Sequence, residues 1–231
     1  MSDFIDKLKE TFIVDDRWKY LVRGLGNTLI ITACAAILGL IIGFGVAMIR
    51  STHDRKGNFK IANFFCRIYL TVIRGTPMVV QLMIMYFVIF ATLSSQYKIV
   101  VAILAFGINS GAYVAEIVRS GIMSIDQGQF EAGASLGLSY SKVMMFIILP
   151  QALKNVLPAL ANEVIVLLKE TSVAGYIGME DLTKGGDIIR ATTYQAFMPL
   201  LAVAAIYLVL VVILTALVGK LERRLAKNDR R

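Results

Sequence analysis

The stretch Glu131-Ala132-Gly133-Ala134-Ser135-Leu136-Gly137, which leads on to Ile147-Ile148-Leu149-Pro150, is a short polar island inside a mostly apolar chain. Asp126 is a good residue to cap a helix start, and Gly137 suits the left-handed turn that ends one. A second helix follows until Pro150, which lacks a backbone donor and bends it. The small side chains between the two ends keep the first helix thin. The pattern predicts a short helix that lies between two membrane segments and docks onto another protein.

Composition indicates an integral membrane protein that forms one domain over residues 1–231. The chain is 57% hydrophobic, its mean hydropathy is +0.70, and its apolar residues come in long blocks. The N-terminus lacks the apolar core and cleavage site of a secretory signal, so we expect the first span to insert uncleaved. The two cysteines, Cys34 and Cys66, cannot form a framework of bridges and are interpreted as unpaired.

The apolar blocks predict an all-α protein with about five transmembrane helices. An additional helix near 61–74 has apolar residues at helical spacing on one side and polar residues on the other, which is typical of a helix at the membrane surface. Arg74-Gly75-Thr76-Pro77 then places a turn before the next span. A single tilted helix over 61–93 is the alternative, but it exceeds the roughly 20 residues that a bilayer needs. The predicted spans are 25–49, 78–93, 99–118, 146–168 and 197–218, with a cytoplasmic loop at 119–145.

The distribution of basic residues predicts the topology. Residues 50–74 contain six Lys and Arg and only one acidic residue, Asp54, and the tail from residue 220 contains six more. In total the predicted inner segments hold 15 Lys and Arg and the outer segments hold 9. Because basic residues favour the cytoplasmic side, the N-terminus is expected outside, and the C-terminus and the loop at 119–145 inside. This bias explains the net charge of +8 without a nucleic-acid partner.

The polar island also matches a known pattern, in which Glu-Ala-Ala, three further residues and Gly are followed, after another nine residues, by Ile-x-Leu-Pro. It resembles the loop by which permease subunits of bacterial ABC importers contact their ATPase, with Gly133 in place of the second Ala. Gln151-Ala152-Leu153 and Arg74-Gly75-Thr76-Pro77 resemble the polar amino-acid branch of this family. The resemblance covers about residues 22–219 and implies a fold like that of type I ABC importer permeases. The residues it assigns to ATPase coupling are Glu131, Ala132, Gly133, Gly137, Leu149 and Pro150.

The resemblance also implies the partners. These are two ATPase subunits, a second permease subunit, which is either another copy or a similar chain, and an extracytoplasmic amino-acid-binding protein in a bacterial inner membrane. The chain contains no G-x-x-x-x-G-K-[ST] loop, so ATP with Mg²⁺ is expected on the partner ATPase and no cofactor in this chain.

An enzymatic function is not expected. Residues 133–137 match the G-x-S-x-G pattern of hydrolases, but that chemistry needs a nearby histidine base. The only histidine, His53, lies in a predicted cytoplasmic loop, so neither a nucleophile nor a metal site is predicted.

Glu163 is the strongest candidate for substrate contact. A carboxylate midway along an apolar span costs several kcal/mol unless it is paired or faces water, and such groups usually mark a ligand or ion path. Its natural partner is an α-ammonium group. Two alternatives remain: an internal pair with Lys169, or an ion-coupled secondary carrier in which Glu163 is the proton or substrate site.

Four further polar residues are candidates for the substrate site. Asn109 and Tyr113 lie four residues apart on one face of the third span and can bind substrate or bridge helices. Thr171 and Ser172 lie where the fourth helix is expected to break, and exposed amides there can receive a carboxylate. The run Lys169-Glu170-Thr171-Ser172 resembles Lys-Asp-Thr-Ser at this point in the amino-acid branch.

Overall fold

The computed structural model describes the backbone of residues 2–228 and the side chains of residues 5–224. The described residues form ten α-helices and no strand, with short 3-10 or π-helical turns between several of them. The predicted all-α fold is therefore confirmed. Of the predicted basic tail, Lys227, Arg230 and Arg231 have side chains outside the described residues. The helices are α1 (Ser2–Leu8), α2 (Trp18–Lys56), α3 (Lys60–Gly75), α4 (Met78–Ile84), α5 (Lys98–Met123), α6 (Gln127–Ser135), α7 (Tyr140–Val143), α8 (Leu149–Glu170), α9 (Leu182–Thr193) and α10 (Phe197–Asn228).

Helices α2 and α5 pack together along most of their length and form the centre of the fold. Gly39 lies against Ser110, and Gly43 lies so close to Val114 that an added Cβ would collide with its side chain. These two glycines give the first span a small-residue contact face toward α5. Gly45, on the same helix, has open space around it.

Helices α3 and α4 form a sharply bent pair. The axes of Lys60–Gly75 and Met78–Ile89 differ by 111°, and Pro77 has an extended backbone at the corner. The Gln81 amide stabilises the corner by donating to the carbonyls of Ile73, at 2.7 Å, and Thr76, at 3.0 Å. The break excludes the single tilted helix over 61–93. Five apolar side chains of α3 are exposed; they are Ile61, Phe64, Phe65, Ile68 and Val72.

Four helical segments are long and apolar enough to cross a membrane, and the bent pair makes a fifth if it counts as one span. The helix within the predicted second span ends with a π-turn at Ile89, and Met78–Ile89 is about 18 Å long at 1.5 Å per residue. It is therefore shorter than the roughly 30 Å hydrocarbon core. The other helices extend past the predicted limits. The four segments are Trp18–Lys56, Ser95–Met123, Tyr140–Ile177 and Phe197–Arg224.

The segment between α8 and α10, for which no helix was predicted, contains two helical elements. A 3-10 helix over Thr171–Ile177 precedes α9, and the buried Asp181 caps α9 by accepting from the amides of Thr183 and Lys184 at 3.0 and 3.2 Å. Burial raises the pKa of Asp181, and these hydrogen bonds oppose that rise. Gly24 of α2 lies against the Asp181 carbonyl, which lets α9 pack on the start of α2.

One apolar core at the end of the bundle near α6 joins several helices. Ala47 of α2, Val118 and Ile122 of α5, Val143 of α7 and Ile148 before α8 are all buried in it. This core holds the short α6–α7 segment against the long helices. A displacement of α6 is therefore expected to reach the spans through packed side chains.

Candidate functional site

Helix α6 has a defined start and end. The Asp126 carboxylate accepts from the amide of Gly128 at 2.7 Å, which caps the N-terminus. At the other end Gly137 has φ +77°, its amide donates to the Ala134 carbonyl at 2.9 Å, and the Leu138 amide donates to Gly133 at 3.1 Å. These two bonds form a Schellman motif. The cap and the left-handed turn predicted from the sequence are confirmed.

The surface of α6 is divided between a packed side and an open side. Gly133 is buried against Val143 of α7, and a Cβ at residue 133 would lie 2.5 Å from Val143 Cγ2. Gly133 is the residue that departs from the family pattern, and the space where its side chain would lie is filled by Val143. Glu131 and Ala132 are exposed, and the Leu136 side chain is 79% exposed. This open side is available to a partner.

Helix α6 connects to the span α8 through a short helical path. Helix α7 is followed by a π-turn at Met144–Ile148, and α8 starts at Leu149 with Pro150 in its first turn. Pro150 has no N–H to donate to the carbonyl four residues earlier, which accounts for the wider turn. Within this path Met145 and Phe146 are 56% and 76% exposed.

Two cation–π contacts join the end of α2 to α6 and α7. The Arg55 guanidinium lies 3.8 Å from the Phe130 ring centroid, and the Lys56 ammonium lies 4.2 Å from that of Tyr140. The two rings stack with centroids 5.9 Å apart. Sequence reasoning missed these four residues, because nothing in the sequence indicates that residues 55 and 130 meet. They fix α6 and α7 to the first span.

Glu163 lies on α8 and contacts α5. The Ser110 hydroxyl, on a side chain that is 2% exposed, donates to Glu163 Oε1 at 3.0 Å. Among the described side chains no salt bridge joins Glu163 to Lys169, so the internal pair is not formed in this conformation. The half-buried carboxylate keeps acceptor capacity for a further donor.

Asn109 and Tyr113 lie in different surroundings. Asn109 is buried, its Nδ2 donates to Gln81 Oε1 at 3.0 Å, and its Oδ1 has no hydrogen-bond partner. Tyr113 is partly exposed, and the Arg74 guanidinium lies 5.7 Å from its ring centroid. The Asn109 side chain thus faces α4 and not Glu163 of α8, whereas Tyr113 lines a separate cavity with Arg74 and Glu116.

Thr171 and Ser172 follow the end of α8. The Thr171 side chain is fully buried, and its hydroxyl donates to the Leu168 carbonyl at 2.7 Å. The sequence predicted an exposed amide at Thr171. The Thr171 amide instead donates to the Leu167 carbonyl, so it is not free to bind a carboxylate. Ser172 lines a cavity of about 330 Å³ with Lys184 and Asp187. Asp187 lies outside the spans, and its pKa is lowered by hydrogen bonds from Lys184 and Arg190.

The C-terminal ends of α2 and α5 carry a network around Glu116. Arg50 Nη1 lies 2.7 Å from Glu116 Oε1, and Arg119 Nη2 lies 3.5 Å from Glu116 Oε2. Arg119 also lies 3.5 Å from Asp54, and Arg74 lies 3.9 Å from Glu116. The sequence placed Glu116 in the third span but gave no indication of this network.

Comparisons with known proteins agree with this geometry. Residues 37–227 match the family model described as "Binding-protein-dependent transport system inner membrane component". The chain is 42% identical to the arginine transport system permease protein ArtQ of Bacillus subtilis, over 91% of this chain and 94% of that one. It is 38% identical to the glutamine transport system permease protein GlnP of Escherichia coli K12, over 89% and 92% of the two chains.

Solved structures share the fold. A chain from "an amino acid ABC transporter with histidines" superposes with a TM-score of 0.82 at 38% identity, covering 96% of this chain and 98% of that one. A chain of the MetNI methionine ABC transporter superposes with a TM-score of 0.73 at 21% identity, covering 90% and 97%, which supports the fold alone. These matches confirm the predicted permease family, in which ATP hydrolysis takes place on a separate subunit. The chain belongs to the inner membrane components of binding-protein-dependent transport systems.

Proposed function

We propose that this chain is the membrane-spanning subunit of an ATP-driven importer that carries a polar amino acid delivered by an extracytoplasmic binding protein. The observation that carries the proposal is α6: a capped helix with an exposed side, joined by a short helical path to the span that holds Glu163. The relatives named for arginine and glutamine transport support a polar amino acid as the substrate.

The proposed assembly contains two ATPase subunits and two permease subunits. Each α6 docks on one ATPase, and ATP with Mg²⁺ binds on that partner. The charge distribution supports an N-terminus outside and a C-terminus inside, in the inner membrane of a bacterium, with α6 on the cytoplasmic side. The binding protein then delivers substrate at the opposite face, near α9.

We propose that the substrate passes Glu163 and Asn109. The Glu163 carboxylate attracts the α-ammonium group, and the unpartnered Asn109 Oδ1 accepts a second hydrogen bond. Tyr113 lies further along the same face of α5. Ser172 lies at the outer end of α8, and the buried Thr171 positions that end.

The geometry supports a mechanical connection between the two sites. Glu163 lies 13 residues after Pro150 on α8, which is about 20 Å along a helix. When ATP binding closes the ATPases, a movement of α6 passes through α7 and the π-turn into α8. The conformation in which Glu163 faces one side of the membrane then becomes less stable than the conformation in which it faces the opposite side.

Uptake by proteoliposomes tests this function. We expect accumulation of a polar amino acid, with arginine, glutamine and histidine as the probes, only when the ATPase, the binding protein and ATP are all present. An ion-coupled carrier would instead accumulate substrate with this chain alone under a proton or sodium gradient. Gradient-driven uptake without ATP would overturn the proposal. Membership of the transport family described above does not favour that alternative.

A further inference from the structure

The C-terminal end of α2 is joined to α5 by ion pairs. Arg50 Nη1 lies 2.7 Å from Glu116 Oε1, and Asp54 Oδ2 lies 3.5 Å from Arg119 Nη1. Arg50 and Asp54 are four residues apart and therefore lie on one face of the helix. The four side chains are between 18% and 32% exposed, so water screens the pairs only in part. A shift of this end of α2 therefore acts directly on α5.

The same end of α2 is joined to α6 and α7 by cation–π contacts. The Arg55 guanidinium lies 3.8 Å from the centroid of the Phe130 ring on α6, and the Lys56 ammonium lies 4.2 Å from that of Tyr140 on α7. Arg55 Nε is buried and has no hydrogen-bond partner, so the ring supplies the attraction that holds this part of the guanidinium. The two rings stack on each other with centroids 5.9 Å apart. We call these four side chains the cation–π layer.

The cation–π layer bridges a gap. A cavity of about 730 Å³ lies between α6 and the ends of α2 and α5, and all four side chains of the layer line it. Because packed side chains do not fill this space, the layer carries a large part of the contact between α6 and α2. Cation–π attraction acts within about 6 Å of a ring centroid and does not require one hydrogen-bond geometry. The layer can therefore stay joined while α6 tilts.

We propose that Arg55 and Lys56 are positioning residues for energy coupling. They carry a displacement of α6 and α7 into α2 and, through the ion pairs of Arg50 and Asp54, into α5. This inference rests on the proposed docking of α6 to an ATPase. It adds a second route to the one that leads through the π-turn at Met144–Ile148 into α8.

The two routes end on opposite sides of one contact. Ser110 of α5 donates to Glu163 of α8 at 3.0 Å. A displacement that reached α8 alone would act only on the carboxylate side of this hydrogen bond. The second route also acts on the α5 side, so the ATPase would drive both helices that hold the Glu163 carboxylate.

The amount of substrate carried per ATP hydrolysed tests the proposal. The measurement uses proteoliposomes with the complete permease–ATPase complex, the binding protein, and whichever of arginine, glutamine and histidine the parent carries. The double variant Arg55→Gln/Lys56→Gln removes both cations and keeps polar side chains at both positions. We expect it to co-purify with the ATPase as the parent does, and to carry about 5- to 30-fold less substrate per ATP.

A control separates the contacts from the loss of charge. Lys60→Gln removes a positive charge from an exposed position outside the cation–π layer, so it should leave the substrate carried per ATP unchanged. Loss of the ATPase on purification of the double variant would show that the two residues hold α6 for docking and do not transmit its movement. An unchanged amount of substrate per ATP would show that α2 takes no part. Either result would overturn the proposal.

Variants of Phe130 test the same contact from the other side. Phe130→Leu removes the ring and keeps an apolar side chain, so it should lower the substrate carried per ATP, whereas Phe130→Tyr keeps the ring and should restore it. Arg55→Gln combined with Phe130→Leu should have no larger effect than either change alone, because the two residues form one contact. Additive effects, or equal behaviour of the leucine and tyrosine variants, would contradict the proposal. ATP-driven uptake by the parent tests the proposed function separately, so these results overturn only the role of α2.

Discussion

Replacing Gly137 with valine is expected to lower co-purification of the ATPase and substrate-stimulated ATP hydrolysis by about 5- to 30-fold. Gly137 has φ +77°, and a side chain in this left-handed region costs about 1–2 kcal/mol or more for a β-branched residue. No atom lies within 4 Å of the position of an added Cβ, so the effect comes from backbone strain and not from a collision. The strain opens the Schellman motif and releases the end of α6.

Gly137→Asn is the matched control for this prediction. Asparagine tolerates the left-handed conformation better than other side chains, so docking should be largely retained. Both variants add a side chain at the same exposed position. The difference that matters for docking is that asparagine tolerates a positive φ and valine does not. Equal docking by the valine and asparagine variants would show that the shape of this turn does not position α6.

Replacing Glu163 with glutamine is expected to reduce uptake of the amino acid by about 30- to 100-fold. Removing one partner from a buried charge pair costs about 2–5 kcal/mol, and the half-buried position of Glu163 places it at the lower end of that range. Glutamine can still accept the hydrogen bond from Ser110, so the substitution removes the charge and keeps the α5–α8 contact. The measurement is ATP-driven uptake in proteoliposomes.

Two variants separate substrate binding from structure at this site. Glu170→Gln, on the same helix and also half-buried, should leave uptake close to that of the parent. Ser110→Ala removes only a hydrogen bond to a carboxylate, and the expected decrease is about tenfold. Normal uptake by Glu163→Gln would rule out an ammonium contact at this carboxylate.

Features that depend on neighbouring residues could be predicted from the sequence. The cap at Asp126 and the turn at Gly137 follow from the preferences of those residues, and both are observed. The break at Pro77 and the amphipathic helix before it were likewise predictable from local pattern. The first helix is longer than its predicted span, because a helix continues past its apolar block where its polar end is solvated, as at Lys56.

Features that depend on distant residues could not be predicted. Ser110 and Glu163 are 53 positions apart, and the contact between them requires the packing of α5 against α8. The Arg55–Phe130 contact and the network around Glu116 are of the same kind. No helix was predicted between residues 168 and 197, because α9 is held by close approaches to α2 at Gly24 and Gly185 that depend on residues distant in the chain.

The side of the membrane on which α6 lies is the most direct test of the account. A single cysteine at the exposed Gln129, in a chain with Cys34 and Cys66 replaced by serine, is treated with an impermeant thiol reagent. We predict no labelling in intact cells, labelling after the membrane is permeabilised, and protection when the ATPase is bound. Labelling in intact cells would place α6 outside and contradict coupling to a cytoplasmic ATPase.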